Sequence, residues 1–271
     1  MLGALAARTR RLRLATTSLL LPLHHPLRVA AETATLDVLS GGRLLLGLGR
    51  GFRAPVFDGF EVRATTKRDR FDEALDAVLA AWSGEPVSLA GVHYAARDGA
   101  FVRLGLRPVQ RPHPPLFVAA FGRKGLLQAA SRGLPYLASP LETLAVLEEN
   151  YAIWREHRRA ARNGGPEVPV MRTVFVAGDD AEAERVRAAL ASEAHAIAAS
   201  TPAALARAAG GALEERVLVG AANEVQDGIA RYRERLGMDL LVARIEVGGV
   251  PPAARDASLE RLAEIAAEIP A

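Results

Sequence analysis

The sequence predicts a parallel α/β fold. Apolar runs of strand length alternate with amphipathic helical segments along all 271 residues. The runs are apolar at most positions rather than at every second one, as in strands buried on both faces. One strand–helix–strand unit is legible in detail over residues 12–51, RLRLATTSLLLPLHHPLRVAAETATLDVLSGGRLLLGLGRG.

In that unit Leu12–Leu21 is the first strand, rich in Thr and Leu, and Pro22 stops it. Pro26 suits the first turn of a helix, where its missing N–H costs nothing. Leu27, Ala30, Ala31, Ala34, Leu36 and Leu39 recur at helical spacing. Ser40-Gly41-Gly42 ends that helix, because glycine tolerates the left-handed conformation at a helix terminus. Arg43–Leu48 is a second apolar strand. Gly47-Leu48-Gly49-Arg50-Gly51 follows at its C-terminal end, where open α/β sheets and barrels hold ligands. A fixed positive charge among small residues there reads as an anion site. It is not a dinucleotide fingerprint, since Phe52 stands where G-x-G-x-x-G requires glycine.

Further strands are expected at Leu116–Ala120, Leu134–Ser139, Met171–Ala177 and Leu240–Val247, with helices near 68–82, 123–132, 141–161, 180–198, 222–236 and 257–268. These make about six parallel strands in one domain, 1–271. Repeated βα units of this kind build either a barrel or a doubly wound sheet. Residues 84–112 break the rhythm as a short β excursion with loops. Residues 196–216 are Ala-rich and read as a mobile lid or a helix with a frayed end. The chain opens in the helical segment Leu2–Thr9. Six strands imply either βα units ahead of Met1 or an open sheet.

Composition excludes several classes. Half the residues are hydrophobic and the formal charge is only +3, from 34 basic and 31 acidic residues. The basic residues are nearly all arginine and alternate with Glu and Asp, as at 155–159 and 231–235. That is the pattern of solvated helix faces, and the few aromatic residues argue further against nucleic-acid binding. There is no Cys, hence no disulfide and no thiolate site. No apolar run reaches the ~18 residues of a membrane span, and no signal-peptide pattern opens the chain. A cytoplasmic location without a membrane partner is expected.

Several residues carry candidate chemistry. Ala120-Phe121-Gly122-Arg123-Lys124 follows a strand and opens a helix, whose first N–H groups favour a phosphate. Thr17 and Ser18 are unremarkable as β-formers in a buried strand. His24 and His25 lack further ligands at metal spacing. His25 suits a capping or packing role ahead of Pro26, while His24 could face a pocket. His93 and Tyr94 suit loop packing, and Trp82 and Trp154 fall on apolar helical stripes. Arg244, near the end of the last strand, faces either a ligand or a rim carboxylate such as Glu246.

Four segments taken in order resemble the bacterial luciferase-like flavin monooxygenases. They are LLLPLHHPLRVAAETATLDVLSGGRLLLGLGRGF, RFDEALDAVLAAWSGE, RPVQRPHPPLFVAA and VLVGAANEVQDGIARYRERLGMDLLVARI. That superfamily includes alkanesulfonate monooxygenase and the deazaflavin-dependent reductases. The resemblance implies a TIM (β/α)8-type barrel, N-terminally incomplete in this chain. It implies reduced FMN, or a deazaflavin, at the C-terminal face, O2 as co-substrate and a small organic molecule as substrate. Gly49 and Arg50, with Ala120, Phe121, Gly122 and Lys124, would bind the cofactor phosphate. Thr17-Ser18 matches the place where the family often has a non-prolyl cis peptide beneath the flavin ring, so both are expected to bind cofactor. A separate flavin reductase and a homodimer are implied as partners. The family's histidine-bearing loop precedes the matched segments, so no catalytic residue is assigned. Two alternatives outside this reading are a non-catalytic paralogue that binds a ligand or a full-length partner, and a sugar- or nucleotide-binding α/β protein.

Overall fold

The computed structural model describes residues 1–120, 122–159, 165–200 and 211–269, with backbone alone at 196–200. The chain forms two compact units. The first is Met1–Ala119 with Ala160–Gly165, and the second is Ala120–Arg159 with Pro166–Ala271.

The first unit contains α1 (Leu2–Arg8), β1 (Leu14–Leu20), α2 (Pro26–Ser40), β2 (Leu44–Gly49), α3 (Ala54–Gly59), α4 (Lys67–Ser83), β3 (Val87–Ser88), β4 (Phe101–Val102) and β5 (Leu116–Ala119). β2 lies between β1 and β5 and runs parallel to both. All six of its residues are buried, which is why LLLGLG carries no polar position. Pro26 opens α2, and Gly41 closes it at φ +66. Trp82 on α4 is buried and donates from Nε1 to the Ala30 carbonyl of α2 at 3.0 Å, tying the two helices together. Arg43 donates to the Ala6, Thr9 and Leu12 carbonyls and thereby anchors α1.

The excursion at 84–112 is an antiparallel pair, β3 and β4, with loops, as expected. Two buried-side carboxylates hold it. Glu73 accepts from the His93 and Tyr94 N–H groups. Asp37, fully buried on α2, accepts from the Val109 and Gln110 N–H groups at 2.8 and 3.0 Å and from Gln110 Nε2 at 2.7 Å.

The second unit contains α5 (Gly122–Ser131), β6 (Tyr136–Leu137), α6 (Leu144–His157), β7 (Pro169–Val176), α7 (Asp180–Ser200), β8 (Val217–Gly220), α8 (Ala222–Leu236), β9 (Leu240–Arg244) and α9 (Pro252–Glu268). β7 pairs in parallel with β8 and β9, and Ala138 bridges β6 to Val170. α8 lies on one face of β7, where Tyr232 meets Arg172. α7 lies on the other, packing Ala183, Val186 and Leu190 with Phe175.

Several sequence expectations change. The strand expected at Leu240–Val247 ends at Arg244. β8 was not foreseen: four residues between a turn and a helix leave too short a periodic signal. The strand expected at Leu134–Ser139 shrinks to two residues. Its end is claimed by other partners: Ser139 N–H donates to Glu142 at 2.9 Å, and its carbonyl accepts from Arg172 at 2.6 Å. The helix expected from 141 begins at Leu144, because Thr143 Oγ1 caps Val146 N–H. Of the Ala-rich stretch 196–216, α7 covers the part to Ser200, Leu213–Glu215 is a 3-10 turn, and 201–210 lie outside the described residues.

Asp37→Ala removes the buried acceptor of three part-buried donors. It is expected to cost about 3 kcal/mol, read as a lower urea midpoint, with amide exchange accelerated first at Val109 and Gln110.

Candidate functional site

The first unit brings four of the expected residues together at the C-terminal ends of β1 and β2. The Thr17–Ser18 peptide is cis. Pairing between β1 and β2 shifts register between Thr17 and Leu19, so Ser18 stands out of the ladder. Its hydroxyl fills the space a side chain at position 49 would need: a Cβ on Gly49 would lie 2.2 Å from Ser18 Oγ. Gly49 is therefore required by close packing. Arg50 follows, half-buried. Gly51 turns the chain at φ +74, and a Cβ there would lie 2.9 Å from Phe57 Cε2.

Phe57 links this turn to α4. Lys67 Nζ stands 5.9 Å from the centre of its ring, within cation–π range. Lys67 and Arg68 form the first turn of α4, a helix whose N-cap residue Thr66 makes no side-chain cap. The charges of Arg50, Lys67 and Arg68 are felt across the cluster. Burial lowers the Arg50 pKa from its ordinary value, and Arg68 lowers it further, while Asp72 acts in the opposite sense. Burial lowers the Lys67 pKa too, with Arg50 and Arg68 adding to the effect. Like charges gathered at a strand end beside a helix N-terminus form a pole for an anion. The donor set fits a phosphate: two guanidinium forks, one ammonium and the N–H groups that open a helix. Lys67 and Arg68 were not among the sequence candidates. Their distance of 17 and 18 residues from Arg50 hides them, and the only local hint is a basic pair where a helix begins.

The remaining residues expected to bind the cofactor phosphate belong to the second unit. Ala120 is buried. Gly122 opens α5 at φ +64, and Gly122, Arg123 and Lys124 are exposed. Phe121 lies outside the described residues. His25 occupies the N-cap position of α2 without a side-chain cap, and its ring meets Tyr94 edge-on at 5.9 Å. Tyr94 hydroxyl donates to the Pro22 carbonyl at 3.3 Å, which pins the turn after β1. Trp82 and Trp154 are core, each 2% exposed. Arg244 pairs with Glu193, and Glu246 pairs with Arg255 instead. Among the described residues no cluster of His, Asp and Glu could hold a metal ion, and no helix is long and apolar enough to cross a membrane.

Comparison with known proteins identifies the lineage. The family model for luciferase-like monooxygenases matches residues 1–239. The chain belongs to that family. Monooxygenase RslO1 from Streptomyces bottropensis is 29% identical and superposes with a TM-score of 0.82, covering 98% of this chain and 81% of its own. The chain thus has the TIM-barrel-type α/β fold of these proteins. The oxygenase component of a flavin-dependent trigonelline monooxygenase from Acinetobacter baylyi is 26% identical over 191 residues, 66% of this chain and 50% of that protein. An F420-dependent glucose-6-phosphate dehydrogenase from Beutenbergia cavernae is 40% identical over 129 residues, 45% of this chain and 35% of that protein. The matched stretch spans less than half the length of several curated relatives.

The lowered pKa of Lys67 makes a stability prediction with a definite sign. Its charged form is disfavoured in the fold, so stability rises as pH climbs from the lowered value to that of an ordinary lysine. Lys67→Met removes this rise and stabilises the protein at neutral pH by no more than about 1 kcal/mol, the scale of half-exposed charge interactions. Melting curves from neutral pH to the lysine range, in low salt, check both.

Proposed function

We propose that the protein is a flavin-dependent oxidoreductase, a monooxygenase that uses reduced FMN and O2 on a small organic substrate. The observation that carries this reading is the pole formed by Arg50, Lys67 and Arg68 at the C-terminal end of β2. Membership of the luciferase-like family and the flavin-dependent relatives support it. Bound in its reduced form, FMN would supply the two electrons with which one atom of O2 enters the substrate and the other leaves as water. The residues supply position. Arg50 takes the phosphate through its planar fork. Lys67 and the first turn of α4 add charge and N–H donors. Gly49 and Ser18 form the packed floor beside the strand end. The N–H groups that open α5 around Gly122 and Lys124 suit an anion on the same physical grounds. A separate reductase delivers reduced flavin, as the relative named as an oxygenase component supports.

A second reading has one specific observation behind it, the 40% identical F420-dependent relative. In this reading the same pole holds the phosphate of a deazaflavin, and the reaction is hydride transfer without O2. Fluorescence titration with FMN and with F420, followed by O2 uptake with each reduced cofactor, separates the two. Binding of neither overturns both.

Arg50→Ala is expected to weaken FMN binding by about 10- to 100-fold. Lys67 loses its charge at a lower pH than an ordinary lysine, so affinity for FMN falls as pH rises toward the lysine range. Lys67→Arg, which stays charged, flattens that profile. Dissociation constants across that pH range measure both effects.

A further inference from the structure

The last strand of the second unit ends in a receptor for a carboxylate. Arg244 closes β9 and stands in register with Thr173 of β7. Side chains alternate along a strand. Arg172 reaches Tyr232 on α8, so Met171 and Thr173 point to the opposite face, the one α7 covers. There the Arg244 guanidinium grips Glu193 of α7 end-on, Nη1 to Oε1 at 2.8 Å and Nη2 to Oε2 at 3.1 Å. Its Nε donates to Thr173 Oγ1 at 3.0 Å, which fixes the plane of the fork. A two-pronged grip of this kind is the geometry with which arginine recognises carboxylates.

Other features of the grip suit exchange better than permanent structure. The Arg244 and Glu193 side chains keep 32% and 31% of their surface exposed, and such pairs add little to stability. Past Leu190, none of the α7 residues up to 195 is buried. Next to Thr173 and Arg244 on the same face, Met171 and Val242 pair in register and remain half-buried, an apolar floor beside the charged fork.

The geometry points to Arg244 as the anchor of a small organic acid, with Glu193 as an internal stand-in that the incoming carboxylate displaces. The ligand's carboxylate takes the fork, and its apolar body lies on Met171 and Val242. Exchanging one carboxylate for another leaves Arg244 paired throughout, while Glu193 passes into water.

The probe is 4-fluorobenzoate followed by 19F NMR, with 4-fluorobenzamide as the neutral isostere. Glu193→Gln removes the competitor and is expected to tighten benzoate binding at least about tenfold, leaving the benzamide unchanged. Arg244→Met is expected to abolish benzoate binding, with circular dichroism confirming the fold. If that variant does not fold, Arg244→Lys in the Glu193→Gln background keeps the charge without the fork, and is expected to bind at least about tenfold more weakly. In the unaltered protein, saturating benzoate should accelerate amide exchange at 191–195. Benzoate binding no tighter in Glu193→Gln than in the unaltered protein overturns the proposal, as does binding that survives loss of the arginine fork.

Discussion

The first unit depends on the closeness with which its three parallel strands approach one another around β2. A Cβ at Gly47 would lie 2.1 Å from the Thr16 carbonyl oxygen and 2.3 Å from the Phe117 ring. No rotamer change relieves a clash with backbone, so this strand tolerates no side chain there. Gly49 meets the same limit against Ser18. The space β2 gives up is taken by Phe117 from one neighbour and Ser18 from the other. The chain thus reaches Arg50 along a fixed line, with its guanidinium at the strand end.

Electrostatics then acts on a fixed frame. Arg50 stands half-buried near Lys67 and Arg68, and burial together with the neighbouring cations disfavours the charged forms of Arg50 and Lys67. A fold retains such a cluster readily when a ligand of opposite charge offsets the repulsion. The second unit handles buried charge differently. Arg172 is fully buried and gives its N–H groups to the Ser139, Met171 and Glu142 carbonyls and the Tyr232 hydroxyl. Near it Glu142 accepts from Tyr136, Ser139 and Asn150, although burial still raises its pKa. This network pairs the Arg172 N–H groups within the second unit, while at the end of β2 three cations gather with Asp72 acting in the opposite sense.

What the sequence made legible follows the range of each interaction. Pro26 and Gly41 bound α2 because proline and glycine act on the backbone locally. The place of Arg50 at a strand end was legible because a glycine-framed charge at the end of an apolar run is a local pattern. Lys67 and Arg68 were not, since the turn through Phe57 that returns α4 to the strand end leaves no periodic trace. The Arg244–Glu193 pair spans 51 residues, and the sequence offered only a choice between a ligand and a rim carboxylate, with Glu246 as the named example. β6 fell short of its apolar run because Glu142 and Arg172 compete for the backbone at Ser139, a tertiary effect that propensity does not contain.

The cation pole at the end of β2 is proposed to hold a flavin by its phosphate. Comparing the affinity of the unaltered protein for FMN and for riboflavin, which differ only in that phosphate, tests it most directly. FMN is expected to bind at least about tenfold more tightly, with the advantage shrinking as salt rises. Equal affinity for the two, independent of salt, would contradict it.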